Sequence, residues 1–594
     1  MQYGSPQRLP FADEGRAMMQ IVHDVAPGAA LAFHTAINSE ADFANGIIAL
    51  ADAGATVIVD DVGYFDEPFF QDGIVAQAID TVARKGVVYF SAAGNDGQNS
   101  YENTAPSFSI AGTGANAGEM LLNFDASGAA TTTALQVAIP KLIPGEFIAL
   151  IVQWDQPYLT GAPDSPGSTS SIDLCVSASG YTVINLDGAP KTCTGPNTTG
   201  TDTSQTNNGD AEQVLILGNP ANAAGDSAAT TISVVIGLAN GTPPPGRIKL
   251  VVADDGAGAA IDPGLATNSP TLQGHPSATG AAAVAAAFFP QTPRCGTSPA
   301  LLESFSAEGG EPILFGTNGT RLATPEVRQK PDFTGPDGGN TSFFGVFLAK
   351  TDRTDSSSVA GCQNDASYLN FFGTSAAAPH AAGAAALMLQ ANPTVSAAQI
   401  LQNLRSSALP MGGNAPDYDS GYGFLQVDAA IALLPPGPPV IRLTSSTITA
   451  GSSTTLSWLA VNATACSASD SWNGAQSSSG TLAVTPTSAG TLTYTLTCTT
   501  AAGSKTSSAV LTVQDPPTQQ PSSGGGGGAV EILTLISLCG LLLARMSAQS
   551  RERCQHRLPA RRAEAGARIP AGRGPIRAVV ALCDIAERLL ADPI

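Results

Sequence analysis

The chain has 594 residues, a formal charge of −21, only 13% charged residues, and 63 glycines beside 42 prolines. That length is too great for one hydrophobic core and implies three or four domains. The acidic balance excludes a nucleic-acid binder, and sparse charge with abundant Gly, Ser, Thr and Pro fits an exported protein better than a cytosolic one.

Met1-Gln2-Tyr3-Gly4-Ser5 has neither the basic start nor the apolar core of a signal peptide, yet helical spacing of Ala17, Met18, Ile21 and Val22 begins soon after. An exported chain needs a leader, so the native gene is expected to begin upstream of Met1. From Ala29 to Asn95 strand and helix alternate. Ala30 to Phe33 reads as a strand, Ser39 opens a helix that Gly54 ends, and Thr56 to Val59 reads as a strand. A helix carrying Ile74, Ala78 and Val82 then stops at Gly86 before the strand Val87 to Phe90. This is the pattern of a parallel, doubly wound α/β layer, with ligands at the carboxyl ends of its strands. Asp61-Val62-Gly63 and Ser91-Ala92-Ala93-Gly94-Asn95-Asp96 lie at that end.

Between about Tyr101 and Thr267 the period shortens to alternating strands, among them 120–124, 147–152, 212–217, 231–236 and 247–252, which reads as an inserted β-sandwich. Asp254 with Asp255, or Asp417 with Asp419, are acidic pairs of the kind that hold structural calcium, in runs too short to assign one. The α/β pattern resumes at His275.

Phe372-Gly373-Thr374-Ser375-Ala376-Ala377-Ala378-Pro379-His380 opens an alanine-rich helix. A serine in the first turn of a buried helix meets unpaired backbone N–H groups and the positive end of the dipole, both of which favour a developing oxyanion. Ser375 is the candidate nucleophile; helix capping is the plainer role for such a residue.

The string resembles the nucleophile motif of the subtilases, Gly-Thr-Ser-x-Ala-x-Pro-His-x-Ala-Gly, at every defining position. The resemblance extends over Asp13 to Asn95 and His275 to Ala432, through Lys330-Pro331-Asp332 and Gly421-Tyr422-Gly423. It implies a serine peptidase acting on proteins or peptides, with Asn95 as oxyanion donor, Gly63 on the edge that pairs with substrate backbone, and His380 as a structural residue. Where that family has its histidine base, this chain has Glu14, and Val25-Ala26-Pro27 follows at the expected distance. A glutamate base resembles the sedolisin branch, whose second acid would fall at Met18. The rival to a peptidase is a non-catalytic surface protein that keeps the fold for adhesion or display.

The expected organisation is a subtilisin-like α/β domain over 1–100 and 268–434, the sandwich over 101–267, an immunoglobulin-like β-domain over 440–515 and a Pro/Gly linker over 516–528. Residues 529–545 then read as a short apolar sorting or anchor helix and 546–594 as a basic tail. The glycine run, apolar helix and basic end resemble sorting signals of Gram-negative surface proteases, implying the cell envelope or exterior and membrane attachment before processing. In the tail, Val579, Leu582, Ala586 and Leu589 have the spacing of an amphipathic helix. Six of the nine cysteines pair by proximity as Cys175 with Cys193, Cys295 with Cys362 and Cys466 with Cys498. None shows the spacing of a zinc or redox site.

Overall fold

The structure is a computed structural model. It describes residues 13–516 except 163, 178–180, 185–191, 195–208, 220–222, 224, 349–358 and 501–502, together with the backbone of 578–582. The 529–545 apolar segment lies outside the described residues, and among these no helix is long and apolar enough to cross a membrane.

Its centre is a six-stranded, all-parallel sheet of β1 (Phe33–Thr35), β2 (Val57–Asp60), β3 (Val88–Ala92), β4 (Ala281–Phe288), β5 (Phe333–Asp337) and β6 (Ala578–Leu582). The order across it is β1-β6-β2-β3-β4-β5. Strands β2, β3 and β4 are buried along their whole length, as their largely apolar sequences require when both faces are covered, with Asp60 and Ser91 the polar exceptions. Helices α1 (Glu14–Val25), α2 (Glu40–Asp52) and α3 (Ile74–Arg84) form the flanks, and Ser39 caps α2 by accepting from the Asp42 N–H at 3.2 Å.

One correction concerns β6. Residues 578–582, which periodicity assigned to a helix, form a strand whose Val580 stands beside both Phe33 and Val59. Ala-Val-Val-Ala-Leu is a short apolar run that either structure can use. A slot flanked by two parallel strands satisfies its N–H and C=O groups on both edges, and tertiary pairing decides.

The helix α4 (Thr374–Ala391) runs across the sheet, touching β2 to β5 and α1. Its Ala376, Ala377, Ala378, Ala381, Ala382, Ala384 and Ala385 are all within 1% of complete burial. Small side chains let it approach the strands closely, and at Gly335 of β5 an added Cβ would stand 2.9 Å from the Ala377 carbonyl oxygen.

Between β3 and β4 the chain forms two antiparallel sheets. One runs in the order 182–184, 212–218, 147–154, 248–253, 100–103; the other in the order 260–261, 135–139, 230–239, 119–122, 108–111, with 172–177 also on 230–239. Their facing side chains share one core, including Leu150, Trp154 and Leu250 from the first and Val137, Val234 and Ile236 from the second. The alternate residues Ala149, Ile151, Val214 and Val251 point the other way, onto Phe69, Phe70, Leu314 and Phe315. Gln153, fully buried, secures this junction, accepting from the Phe69 N–H and donating to the Glu67 carbonyl at 2.8 Å each. The insert is therefore seated on the α/β domain. Residues 440–514 make two further sheets around Trp458, Trp472, Tyr494 and Leu496. The three expected disulfides are present, at Cys175–Cys193, Cys295–Cys362 and Cys466–Cys498.

Candidate active site

A cavity of about 610 Å³ opens at the carboxyl end of the parallel sheet, and Glu14, Gly63, Asn95 and Ser375 all line it. Residues from α1, from the loops after β2 and β3, and from the start of α4 thus meet in one place.

Ser375 is the second residue of α4, so its N–H has no acceptor within the helix. Pro379 lacks the N–H that would bond the Ser375 carbonyl four residues back, which loosens the first turn at the serine itself. The turn into the helix depends on Gly373, at φ 103°, a left-handed value that a side chain would strain. Its N–H donates to Asp337 Oδ2 at 3.0 Å, at the end of β5. Burial, and then the nearby charge of Glu303, push the Asp337 carboxyl well above its ordinary range.

Asn95 is fixed at both ends of its amide. Its Oδ1 accepts from the Thr374 N–H and the Thr374 hydroxyl, each at 3.0 Å, while its Nδ2 donates to Asp255 Oδ1 at 2.7 Å. Thr374 Oγ1 in turn accepts from the Gly94 N–H at 3.1 Å. The second N–H of Nδ2 and the backbone N–H of Ser375 make a pair of donors of the kind that stabilises an oxyanion. The sequence contained Asn95; it did not reveal that the inserted sheets supply its other partner.

Glu14 begins α1 after Asp13, where the helix dipole favours a carboxylate. One turn later Met18 is completely buried in the core, so no second acid stands there. His380 is a structural residue: its Nδ1 lies 2.8 Å from the Ala376 carbonyl, one turn back, and burial lowers its pKa. Gly63 is exposed just past β2, and nothing lies within 4 Å of where its Cβ would be, leaving room for a peptide alongside.

One member of each acidic pair read as a calcium candidate caps a turn. Asp254 accepts from the Gly256, Gly258 and Ala259 N–H groups, and Asp417 from those of Asp419 and Ser420. The only triple of close potential ligand groups among the described residues is Asp173 with Cys175 and Cys193, whose sulfurs are spent on a disulfide.

Sequence reasoning missed His275. It lies fully buried beneath the cavity, Nδ1 2.6 Å from Glu67 and Nε2 3.1 Å from Asp60, which also accepts from the Ser91 hydroxyl at 2.7 Å. Burial alone would depress its pKa; the charges of Glu67 and Asp60 outweigh that and raise it to about 10. The imidazolium is a strut between β2, the loop after it and the entry to β4.

The model of the subtilase family matches residues 13–423. Fervidolysin of Fervidobacterium pennivorans is 41% identical over 68 residues, which are 11% of this chain and 10% of that one. Subtilisin DY of Bacillus licheniformis is 44% identical over 63 residues, 11% of this chain and 22% of that one. The chain thus spans less than a quarter of the length of these curated relatives. Among solved structures, a lanthipeptide protease aligns with 71% of this chain and 76% of its own, at 13% identity and a TM-score of 0.29.

Proposed function

Because the chain belongs to the subtilase family, we propose that it is a serine endopeptidase that cleaves proteins or peptides through an acyl-enzyme on Ser375. The observation that carries this reading is the doubly anchored Asn95 beside the first turn of α4, in the cavity that also holds Glu14. Ser375 Oγ attacks the scissile carbonyl as its proton passes to the Glu14 carboxylate. Asn95 Nδ2–H and the Ser375 N–H receive the oxyanion, the amine leaves with the proton, and water repeats the sequence on the ester. A substrate strand lies along Asp61 to Gly63. A glutamate base of this kind is the sedolisin-like feature of the chain. Three disulfides fit work outside the reducing cytosol, at the cell envelope or beyond it.

A fluorophosphonate probe is expected to label the full chain and to leave Ser375→Ala unlabelled; equal labelling of the two removes the reading. The base is tested by pH. A histidine of ordinary pKa, about 6.5, is idle in acid, whereas a carboxylate near 4.3 still accepts protons there. Cleavage should persist at pH 5, and Glu14→Gln should lose most of it while remaining folded. A folded Glu14→Gln with near-full activity would leave Glu14 as a helix-end charge only.

A further inference from the structure

Where β5 ends, the side chain of Asp337 extends a ladder that the backbone no longer continues. Residues 339–341 and 369–371 pair as antiparallel strands, and the Gly338 N–H donates to the Phe371 carbonyl at 2.8 Å. Two residues on, the Gly373 N–H finds its acceptor in Asp337 Oδ2, at 3.0 Å. Asp337 is completely buried, and its Oδ1 has no hydrogen-bond partner. A charged carboxylate with one oxygen left bare in the interior is costly, whereas the neutral acid accepts the same N–H at a far smaller penalty.

Gly373 is the pivot between this carboxyl and the oxyanion donor. A Cβ there would stand 3.3 Å from Asn95 Nδ2, and the next residue, Thr374, gives both its N–H and its hydroxyl to Asn95 Oδ1. Ser375 follows directly, so a shift of Gly373 would displace the nucleophile and the donor beside it together. Few groups could answer a charge on Asp337. β4 and β5 hold no other titratable residue, the strands 339–341 and 369–371 hold none, and α4 holds only His380, which is bonded to the Ala376 carbonyl. Glu303, in the segment between β4 and β5, is itself an acid, and among the described residues no lysine or arginine offers Asp337 a counter-charge.

Resting on the peptidase reading above, we propose that Asp337 is a positioning residue: as the acceptor of the Gly373 N–H it sets the turn that places Ser375 beside Asn95, and it does so as the uncharged acid. Burial, and then the charge of Glu303, hold its proton on well above the ordinary carboxylate range. Ionised, it would meet Glu303 as a like charge and add a buried negative charge two residues from the Ser375 N–H, opposing both the turn and the oxyanion that forms there. The neutral form prevails below the folded pKa and is lost as pH climbs through it, so the device fails on the alkaline side.

The test compares the full chain with Asp337→Ala and Asp337→Asn, measuring kcat and KM on a casein-derived peptide across pH, with folding followed by circular dichroism at each pH. Asp337→Ala should lower kcat roughly 10- to 100-fold with little change in KM, as a misplacement of about 1 Å at a reacting group does. Asp337→Asn keeps an acceptor for the Gly373 N–H and cannot ionise. It should restore most of the kcat that alanine loses, and the fall of kcat at high pH should move upward or vanish. An alanine variant with unaltered kcat, an asparagine variant as poor as alanine, or an alkaline fall that asparagine leaves in place overturns the proposal. Should Asp337→Ala fail to fold, the pH profile of Asp337→Asn decides alone. A chain that neither cleaves nor takes a fluorophosphonate probe would sink the peptidase reading by itself. The positioning role is then read from amide hydrogen exchange over residues 372–376: faster exchange in Asp337→Ala but not in Asp337→Asn upholds it, and exchange unchanged in both overturns it.

Discussion

At the scale of single residues, the arrangement turns on an amide that cannot rotate. Thr374 holds the oxygen of Asn95 and Asp255 its nitrogen, so the one remaining N–H points in a set direction before any substrate arrives. On the proposed mechanism such a preorganised donor needs no reorganisation as charge develops, and losing one costs on the order of 10²–10³ in rate. Asn95→Ala should therefore lower kcat by that order and leave KM nearly unchanged; a variant that raises KM alone would show that Asn95 binds substrate in its ground state. The residues that meet in this cavity were legible because each belongs to a local string: Ser375 to a glycine-hydroxyl turn before alanines, Asn95 to the end of a strand, Glu14 to the start of a helix. Asp255 and His275 were not, for a physical reason. Their partners lie 160 and 208 residues away in sequence, and only the docking of separate sheets brings them together.

At the scale of elements, the helix pair α1 and α4 sets the geometry of the cleft, one carrying Glu14 and the other Ser375. They meet where Gly383 faces Val25, and a Cβ on Gly383 would fall 2.6 Å from Val25 Cγ1. Gly383→Ala should cost roughly 1–3 kcal/mol of stability by overpacking. Val25→Ala should recover part of that loss when combined with it, as a thermal-melt double-mutant cycle would show; strict additivity would mean that the two residues do not press on each other. The Cys295–Cys362 disulfide ties the segment after β4 to the chain before α4, across 67 residues. Replacing both cysteines by serine should lower stability by about 4 kcal/mol on the chain-entropy account, the largest loss of the three bridges, measurable by denaturant titration. Helices with caps and regular spacing, such as α2 after Ser39, were readable to within a residue or two. The strand at 578–582 was not, because five apolar residues carry no period of their own and their partners β1 and β2 are about 500 residues distant.

At the scale of the whole molecule, several buried groups hold protons longer when folded than when unfolded. His275 is raised from 6.5 to about 10, Glu40 from 4.5 to about 10, Asp96 from 3.8 to about 8 and Glu311 from 4.5 to about 7. For the acids burial is the leading cause; for His275 the two facing carboxylates overcome it. A group with a raised folded pKa contributes stability that is complete below its unfolded pKa and disappears as pH climbs through the folded one. All four act in the same direction, and self-repulsion of a chain at −21 adds to them. His380, with a lowered pKa, opposes them only in acid. The midpoint of thermal unfolding should accordingly be higher at pH 5 than at pH 8 and fall further toward pH 10; a midpoint that rises over this range would contradict these assignments. His275→Gln should flatten the part of the slope above about pH 6.5. The sixth strand imposes an order in time. During synthesis β1 and β2 leave the ribosome roughly half a minute to two minutes before residues 578–582, at 5–20 residues per second. Until those residues emerge, the lane between β1 and β2 that they occupy in the folded sheet has no strand of its own chain to fill it, whereas the insert is complete within its own stretch of chain. Two nascent chains on one messenger could lend each other this strand, and crowded translation should then yield exchanged dimers that dilute translation does not.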